Sequence, residues 1–465
     1  MQPFNDSSAR PVELGASIFV DVNHILQSAV KEFNLSLKEP YSVVRRLEDG
    51  VQTDGKFPFM GIWDGSQFVV KMEDSGWWSS AKMLWRYGLA PYYANKLMSK
   101  TVAKFLAIYQ APYFPFASLT KRVYDLGLSD AVGTSAEHYL QENGIGEAFG
   151  REVIQAMTRV NYAINLGAVH GLEGMVSIAT DGASAVQGGN WRIFEGMAKA
   201  SGADVRLGTE VESVKRHADG TFTLTSSSVV DGTSATSKSD FDTLILATPY
   251  QFSNLSISPK PRIVPDTIPY VDLHVTLFTS PHYLSSAAFG LPDAEAVPRM
   301  LLTTLQADEK PGADPFYTSR VPFNSISLLG TRFNRRTGGD QYLYKIFSMA
   351  PASDSFIANL LGVNTTSSDG GLREEDVSWI HRKLWQSYPF EVPRVTFEEL
   401  RLDENLWYTA GMESFISCME TMALMGKNVA NLIVEEWVSG REGGGYVKEV
   451  KGEHVDESGG LQVEL

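Results

Sequence analysis

The sequence predicts an α/β fold of two interlocked lobes, one carrying a buried parallel strand and the other a mixed α+β lobe. Three observations carry this. Residues 240–249, DFDTLILATP, read as a continuous apolar strand stopped by Pro249, the pattern of a parallel strand covered on both faces. Residues 181–214 place the pair Gly188-Gly189 ahead of a helical run, WRIFEGMAKASG, which gives way to alternating strand text, VRLGTEVESV. Residues 269–347 alternate as VDLHVTLF, SISLL and YLYKIFS, the period of an antiparallel sheet. A chain of 465 residues with 43% hydrophobic content is long enough for two or three lobes and can fill a sizeable core.

In chain order, residues 13–37 read as a short buried strand, ELGASIF, and then a helix. That helix would carry Val22, Ile25, Leu26, Ala29, Val30 and Phe33 on one stripe. Around residues 57–70, alternation on either side of Asp64-Gly65 predicts a β-hairpin. Residues 76–147 read as helical and aromatic, with Trp77, Trp78, Trp85, Tyr92, Tyr93, Tyr109 and Phe116 among their rings. The pairs Ala111-Pro112 and Phe114-Pro115 interrupt them. Helical text resumes over 151–166, and the Ser/Thr-rich run 226–239 predicts an exposed loop.

Residues 406–437 lead from strand text, LWYTAG, through a polar turn into a long helix. Met419, Met422, Ala423, Gly426, Val429, Ala430, Ile433 and Trp437 recur there at helical spacing, with Lys427, Asn428, Asn431 and Glu435 on the other face. The small residues Ala423, Gly426 and Ala430 would let the helix approach a planar ring or a sheet. Its free N–H groups would favour an anion or a carbonyl oxygen; an ordinary core helix has the same spacing. From Gly440 onward the text is polar and Gly-rich, a loose tail.

A net charge of −15 argues against a nucleic-acid partner. Cys418 is the single cysteine, so no intramolecular disulfide or cysteine-based zinc site can form. The eight histidines include no H-x-x-x-H pair, and Gly182-Ala-Ser184-Ala-Val186 lacks the closing glycine of a nucleophile elbow. No apolar run reaches 18 residues, so no transmembrane segment is expected, and the first residues lack the apolar core of a signal peptide. Sequons start at Asn5, Asn34, Asn254 and Asn364. His170, His274 and Glu173 fall in segments that could border a pocket, although core roles are commoner for each.

The order of these motifs resembles the FAD-dependent amine oxidase superfamily: double glycine, helix, VRLGTEVESV, DTLILATP, second lobe, YTAGMESFISCMETMALMGKNVA. Within it, VELGASI, VQGGN and ESFISCMETMALMGKN resemble the prenylcysteine oxidases, with similarity from Val12 to Trp437. The resemblance implies a Rossmann-like FAD-binding domain over residues 1–70, 180–260 and 400–437. A mixed α+β substrate lobe would take 71–179 and 261–399, and a loose tail 438–465. Glu13, Gly15 and Ser17 would lie along the FAD, and the backbone of Val211 would meet its adenine end. Gly411, Glu413, Met419 and Glu420 would approach the flavin edge and ribityl chain. Glu420 could instead cap its own helix. No catalytic residue is assigned.

Family members begin with a strand, a G-x-G-x-x-G turn and a helix that hold the pyrophosphate. This sequence starts beyond such a unit and reads as N-terminally truncated. Its nearest lookalike, 144–150, has the wrong spacing and follows helical text. The implied reaction cleaves farnesyl- or geranylgeranyl-cysteine. A hydride leaves the prenyl C1 for the flavin, water captures the cation, and molecular oxygen is the second substrate. The products are a prenyl aldehyde, cysteine and hydrogen peroxide, formed in a lysosome or vacuole. The aromatic run 77–116 is the expected apolar trough for the isoprenoid. A flavin oxidase acting on an amine or another apolar metabolite, and a flavin-free homologue that only binds, are the alternatives.

Overall fold

The computed structural model describes residues 1–5, 11–38, 45–48, 51–56, 58–72, 83–230, 233–365 and 370–443. Trp77 and Trp78 of the aromatic run, and the tail beyond Gly443, lie outside these.

A seven-stranded mixed sheet forms the frame of the larger lobe. Its order is Trp379–Pro389, Tyr270–Ser280, Gly339–Ser348, Ser325–Asn334, Met300–Thr303, Met60–Trp63 and Phe68–Met72. All neighbours are antiparallel except Met300–Thr303 with Met60–Trp63, which pair parallel. The expected hairpin is present: the Asp64 carboxylate accepts the backbone N–H groups of Ser66 and Gln67, both at 2.8 Å, and closes the turn. This hairpin completes the large sheet, so residues 60–70, which the sequence reading gave to the first lobe, pair with the second. Val271, Leu273, Val275 and Leu277 alternate inward along the longest strand and are buried.

Helices pack against one side of this sheet, among them Ala90–Leu106, Ala136–Glu142, Gln155–Tyr162 and Gly171–Val176. Arg159 fastens them to the sheet, donating to Thr303 Oγ1 at 3.0 Å and to Asn165 Oδ1 at 3.2 Å. Burial pushes its guanidinium down to about 10.

The other lobe carries two smaller sheets. Ser256–Ser258, Thr209–Arg216, Phe222–Val230 and Thr233–Phe241 form one. The Ser/Thr-rich segment expected as a loop supplies two of its strands. Alternation of small hydroxyl side chains suits a sheet wet on both faces, and Ser226 and Ser237 meet across it at 2.9 Å. Leu244–Leu246 pairs parallel with Leu406–Tyr408, as the parallel-strand reading requires. Only Leu246 is buried there; Ile245 is 43% exposed, so the strand is not covered on both faces. Asp403 ties the sheets together by accepting from Arg262 Nε at 2.8 Å, from the Arg262 backbone and from Arg216.

The helix of 25 residues, Met419–Gly443, crosses behind these elements and extends beyond the expected start of the tail. Its buried stripe is rotated from the one read in sequence. Val429 and Ile433 are inside as read, but Leu424, Met425 and Asn428 are inside as well, whereas Trp437 is 54% exposed. The rotation follows from Asn428, which exchanges two 2.8 Å hydrogen bonds with the backbone of Phe116 and must therefore face the core. The small face at Gly426 and Ala430 is turned outward, and a side chain at Gly426 would meet nothing within 4 Å.

Candidate active site

Residues 13–18 form no strand. Their polar groups turn instead to the loop ahead of the helix Trp191–Ser201. Asn190 is the node. Its backbone N–H donates to Glu13 Oε1 at 2.6 Å, its Nδ2 donates to the carbonyl of Ala16 at 2.8 Å, and its Oδ1 accepts from Val186 N at 2.9 Å. Gly189, at φ 117°, must be glycine, since a Cβ would fall 2.5 Å from Trp191 Cδ1 and 2.9 Å from Glu13 Oε1. Phe19 then bridges to Ser184, and the helix His24–Glu32 follows, burying Leu26, Ala29 and Val30 as expected.

Against this segment stands the large sheet. Lys345 Nζ donates to Ser17 Oγ at 2.8 Å. Burial pushes the Lys345 ammonium down to about 8, with the Glu13 carboxylate opposing the shift. Gly15 lies against the Trp385 ring; a Cβ there would stand 3.1 Å from Cζ2. On the same strand, Trp385 Nε1, Ser387 Oγ and Tyr388 OH are buried and unpartnered, and the Tyr388 ring meets Tyr162 edge-on at 5.7 Å.

Deeper in, His170, Glu173 and Glu391 are fully buried. His170 caps the helix Gly171–Val176 by accepting Glu173 N at Nδ1, 3.0 Å away, so the proton of the neutral ring sits on Nε2. Burial lowers this histidine to about 3. Glu391 accepts Ser417 N at 2.8 Å through Oε1, leaving Oε2 without a partner, and neither oxygen of Glu173 has one. Burial raises Glu173 to about 8, the nearby Tyr162 hydroxyl offsetting part of the shift. Burial also raises Glu391, and the Glu173 charge adds to it. Burial thus favours the neutral form of both carboxyls. They sit beneath residues 411–418, the loop that feeds the last helix.

The remaining residues singled out in the sequence fall around this centre. Glu413 Oε2 accepts from Tyr270 OH at 2.8 Å. Gly411 packs on Glu398, whose Cβ a side chain there would meet at 2.9 Å. Met419 packs with Phe19, Val186 and Ile193. Val211 lies in a separate small cluster with Val214, Tyr408 and Ala410. Glu420 caps a neighbouring helix and not its own: its carboxylate accepts Ile25 N and Leu26 N at 2.9 and 3.0 Å and Tyr109 OH at 2.8 Å. His274 lies on the sheet away from this centre, paired in register with Leu384 and Ser348. Lys345, Trp385 and Glu391 carried no signal in the sequence, because each is defined by a partner far along the chain; Asn190 was visible only as the end of VQGGN.

The aromatic run is divided. Phe105 and Phe116 are core residues, and Trp85, Tyr92 and Tyr93 face outward. No group of histidine, cysteine and carboxylate residues that could hold a metal occurs among the described residues.

The backbone aligns with that of a putrescine oxidase triple mutant redesigned for cofactor binding. The TM-score is 0.53 over 93% of this chain and 90% of that one, at 11% sequence identity. The fold is the α/β fold of the amine-oxidase flavoenzymes, and the protein is an oxidoreductase of that class. Within the class the chain belongs to the prenylcysteine lyase family, whose profile matches residues 70–443. It is 26% identical to farnesylcysteine lyase of Arabidopsis thaliana, over 92% of this chain and 78% of that protein. It is 27% identical to prenylcysteine oxidase 1 of Rattus norvegicus, over 91% and 79% respectively.

The residues around Gly15 fit one end of a flavin dinucleotide. Three buried donors, Trp385 Nε1, Ser387 Oγ and Tyr388 OH, await acceptors of the kind a flavin ring carries, and Gly15 keeps the opposite wall clear of a side chain. The lookalike turn at 144–150 provides no pyrophosphate site, since it links the helices Ala136–Glu142 and Glu147–Phe149 and follows no strand.

Proposed function

We propose that the protein is an FAD-dependent thioether oxidase that cleaves farnesyl- or geranylgeranyl-cysteine. The balanced reaction takes prenylcysteine, molecular oxygen and water to prenyl aldehyde, cysteine and hydrogen peroxide. The observation that carries this reading is the meeting of the unpartnered donors on Trp385, Ser387 and Tyr388 with a flexible apolar wall. Partly buried Met72, Met83, Met98, Met157, Met300 and Met349 pack against the same cluster as Trp385 and Tyr388. Unbranched, polarizable side chains of this kind re-pack around a long isoprenoid with little strain.

When bound, the flavin supplies a two-electron acceptor that oxygen regenerates. This chain's residues position and insulate. Trp385 and Tyr388 would donate hydrogen bonds to the flavin, and Gly15 lets residues 13–17 pass close to the Trp385 ring. Lys345, close to half-protonated near pH 8, holds a proton at Nζ beside Ser17. The protonated Glu173 and Glu391 keep the floor of the site neutral, so no charge there opposes an apolar substrate. The reading includes an acidic compartment, lysosome or vacuole. The buried carboxyls hold their protons under such conditions, and Asn34, Asn254 and Asn364 of the four sequons are exposed.

The test is the visible spectrum of the purified protein before and after adding FAD, followed by peroxide release from farnesylcysteine, geranylgeranylcysteine and putrescine. Flavin bands and peroxide from the thioethers but not the amine support the proposal. Peroxide from putrescine alone would replace it with an amine oxidase. Absence of flavin bands under both conditions would reduce the chain to a flavin-free binder.

A further inference from the structure

Residues 75–124 contain seven basic residues (Lys82, Arg86, Lys96, Lys100, Lys104, Lys121 and Arg122) and no acidic one, in a chain of net charge −15. At the chain's average density about six acidic residues would fall in that span. Within it, the helix Ala90–Leu106 buries Ala94, Leu97, Thr101, Val102 and Phe105 against the protein. The opposite row, Tyr92, Lys96, Lys100 and Lys104, recurs at four-residue spacing and is exposed. At the head of this row the protein presents its greasiest surface. Trp85 is 90% exposed, and Leu84, Leu89, Tyr92 and Tyr93 between 46% and 62%. Arg86 is paired with Glu152 at 2.9 Å and Lys104 donates to the carbonyl of Gly127, whereas Lys96 and Lys100 form no ion pair among the described residues.

We propose that this face docks on the surface of an anionic lipid bilayer. Leu84, Trp85, Leu89, Tyr92 and Tyr93 would enter the boundary between headgroups and acyl chains, and Lys96 and Lys100 would meet anionic headgroups. The chemistry favours lipid over other polyanions. Aromatic side chains with polar tips settle at a membrane interface, aliphatic Leu84 and Leu89 gain nothing from a phosphate backbone, and flexible lysine stems reach headgroups while their methylenes stay in apolar surroundings. The attachment is peripheral: no helix among the described residues is long and apolar enough to cross a membrane. Since the rest of the protein carries net negative charge, an anionic surface favours the orientation that presents this face.

The experiment is flotation of the full chain with vesicles of pure phosphatidylcholine and with vesicles containing about one-third phosphatidylserine, at low and high salt. The expected result is at least roughly tenfold stronger partition onto the anionic vesicles, weakened by salt. K96E/K100E should abolish the anionic preference. W85S/Y92S should lower binding to the anionic vesicles at both salt levels, with thermal unfolding of both variants unchanged because all four positions are exposed. Wild-type protein that floats with neither vesicle overturns the proposal, as do variants that float as well as the wild type. Retention on heparin lost in K96E/K100E, without vesicle binding, would also overturn it and assign the face to a soluble polyanion.

Discussion

Glu13 and Asn190 lie 177 residues apart in sequence and meet through a 2.6 Å hydrogen bond from the Asn190 backbone to Glu13 Oε1. The Asn190 side chain completes the junction by holding Ala16 and Val186. This single residue sets the path of residues 13–17 past the Trp385 ring, and so the width of the proposed cofactor site.

Replacing Asn190 with alanine leaves the buried N–H of Val186 unpaired and releases the carbonyl of the exposed Ala16. We predict a loss of about 1–3 kcal/mol in urea unfolding. FAD affinity, followed by quenching of flavin fluorescence, should weaken at least tenfold. Unchanged affinity in the folded variant would separate this junction from the cofactor.

Stability should rise as pH falls from 8 toward 6.5. Glu173 is raised from 4.5 to about 8 in the folded protein, and Glu391 is raised as well. Between these values the folded state holds protons that the unfolded chain has released, so stability is lost as pH climbs through the window. His170 works in the opposite sense at lower pH. Lowered from 6.5 to about 3, it stays neutral while the unfolded chain protonates, so stability is lost as pH falls below 6.5. Thermal unfolding across pH should therefore peak in mildly acid buffer. Glu173→Gln, which cannot ionise, should flatten the decline between pH 6.5 and 8. An unaltered decline in that variant would assign the effect to other groups.

Asp403 accepts from both Arg216 and Arg262 and is held well below the usual carboxylate range by hydrogen bonds from Arg262, Glu404 and Arg216 that outweigh its burial. Asp403→Asn should cost about 2–4 kcal/mol at pH 7, since it strips the charge from a buried junction. The difference from the wild type should shrink as pH falls below 3.8, where the native carboxylate advantage is lost. Denaturant unfolding at pH 7 and pH 3 measures both.

Lys345 separates stability from activity. Methionine fills the same volume without a buried amine, so Lys345→Met should leave stability within about 1 kcal/mol or improve it. Peroxide release from prenylcysteine should drop at least tenfold if the proton at Nζ serves the reaction. A less stable variant with full turnover would make Lys345 a structural residue.

Motif order was legible in the sequence because each motif is local. The Asp64-Gly65 hairpin, the His24–Glu32 helix, the central strands and the long last helix all follow from periods of two or 3.6 residues and from turn chemistry. Those elements, in that order, were enough to indicate the family. Where two solutions share one local pattern, the tertiary structure chose. The Ser/Thr run 226–239 could be a wet loop or a wet sheet, and pairing with Thr209–Arg216 made it a sheet. The last helix could turn either face inward, and the bonds between Asn428 and Phe116 fixed its rotation. Glu420 could cap its own helix or another, and the free N–H groups of Ile25 and Leu26, nearly 400 residues earlier, claimed it. The site itself was decided only by folding. Burial, not residue type, makes proton holders of Glu173 and Glu391 and loosens the proton of Lys345, and burial is a property of contacts that sequence spacing does not record.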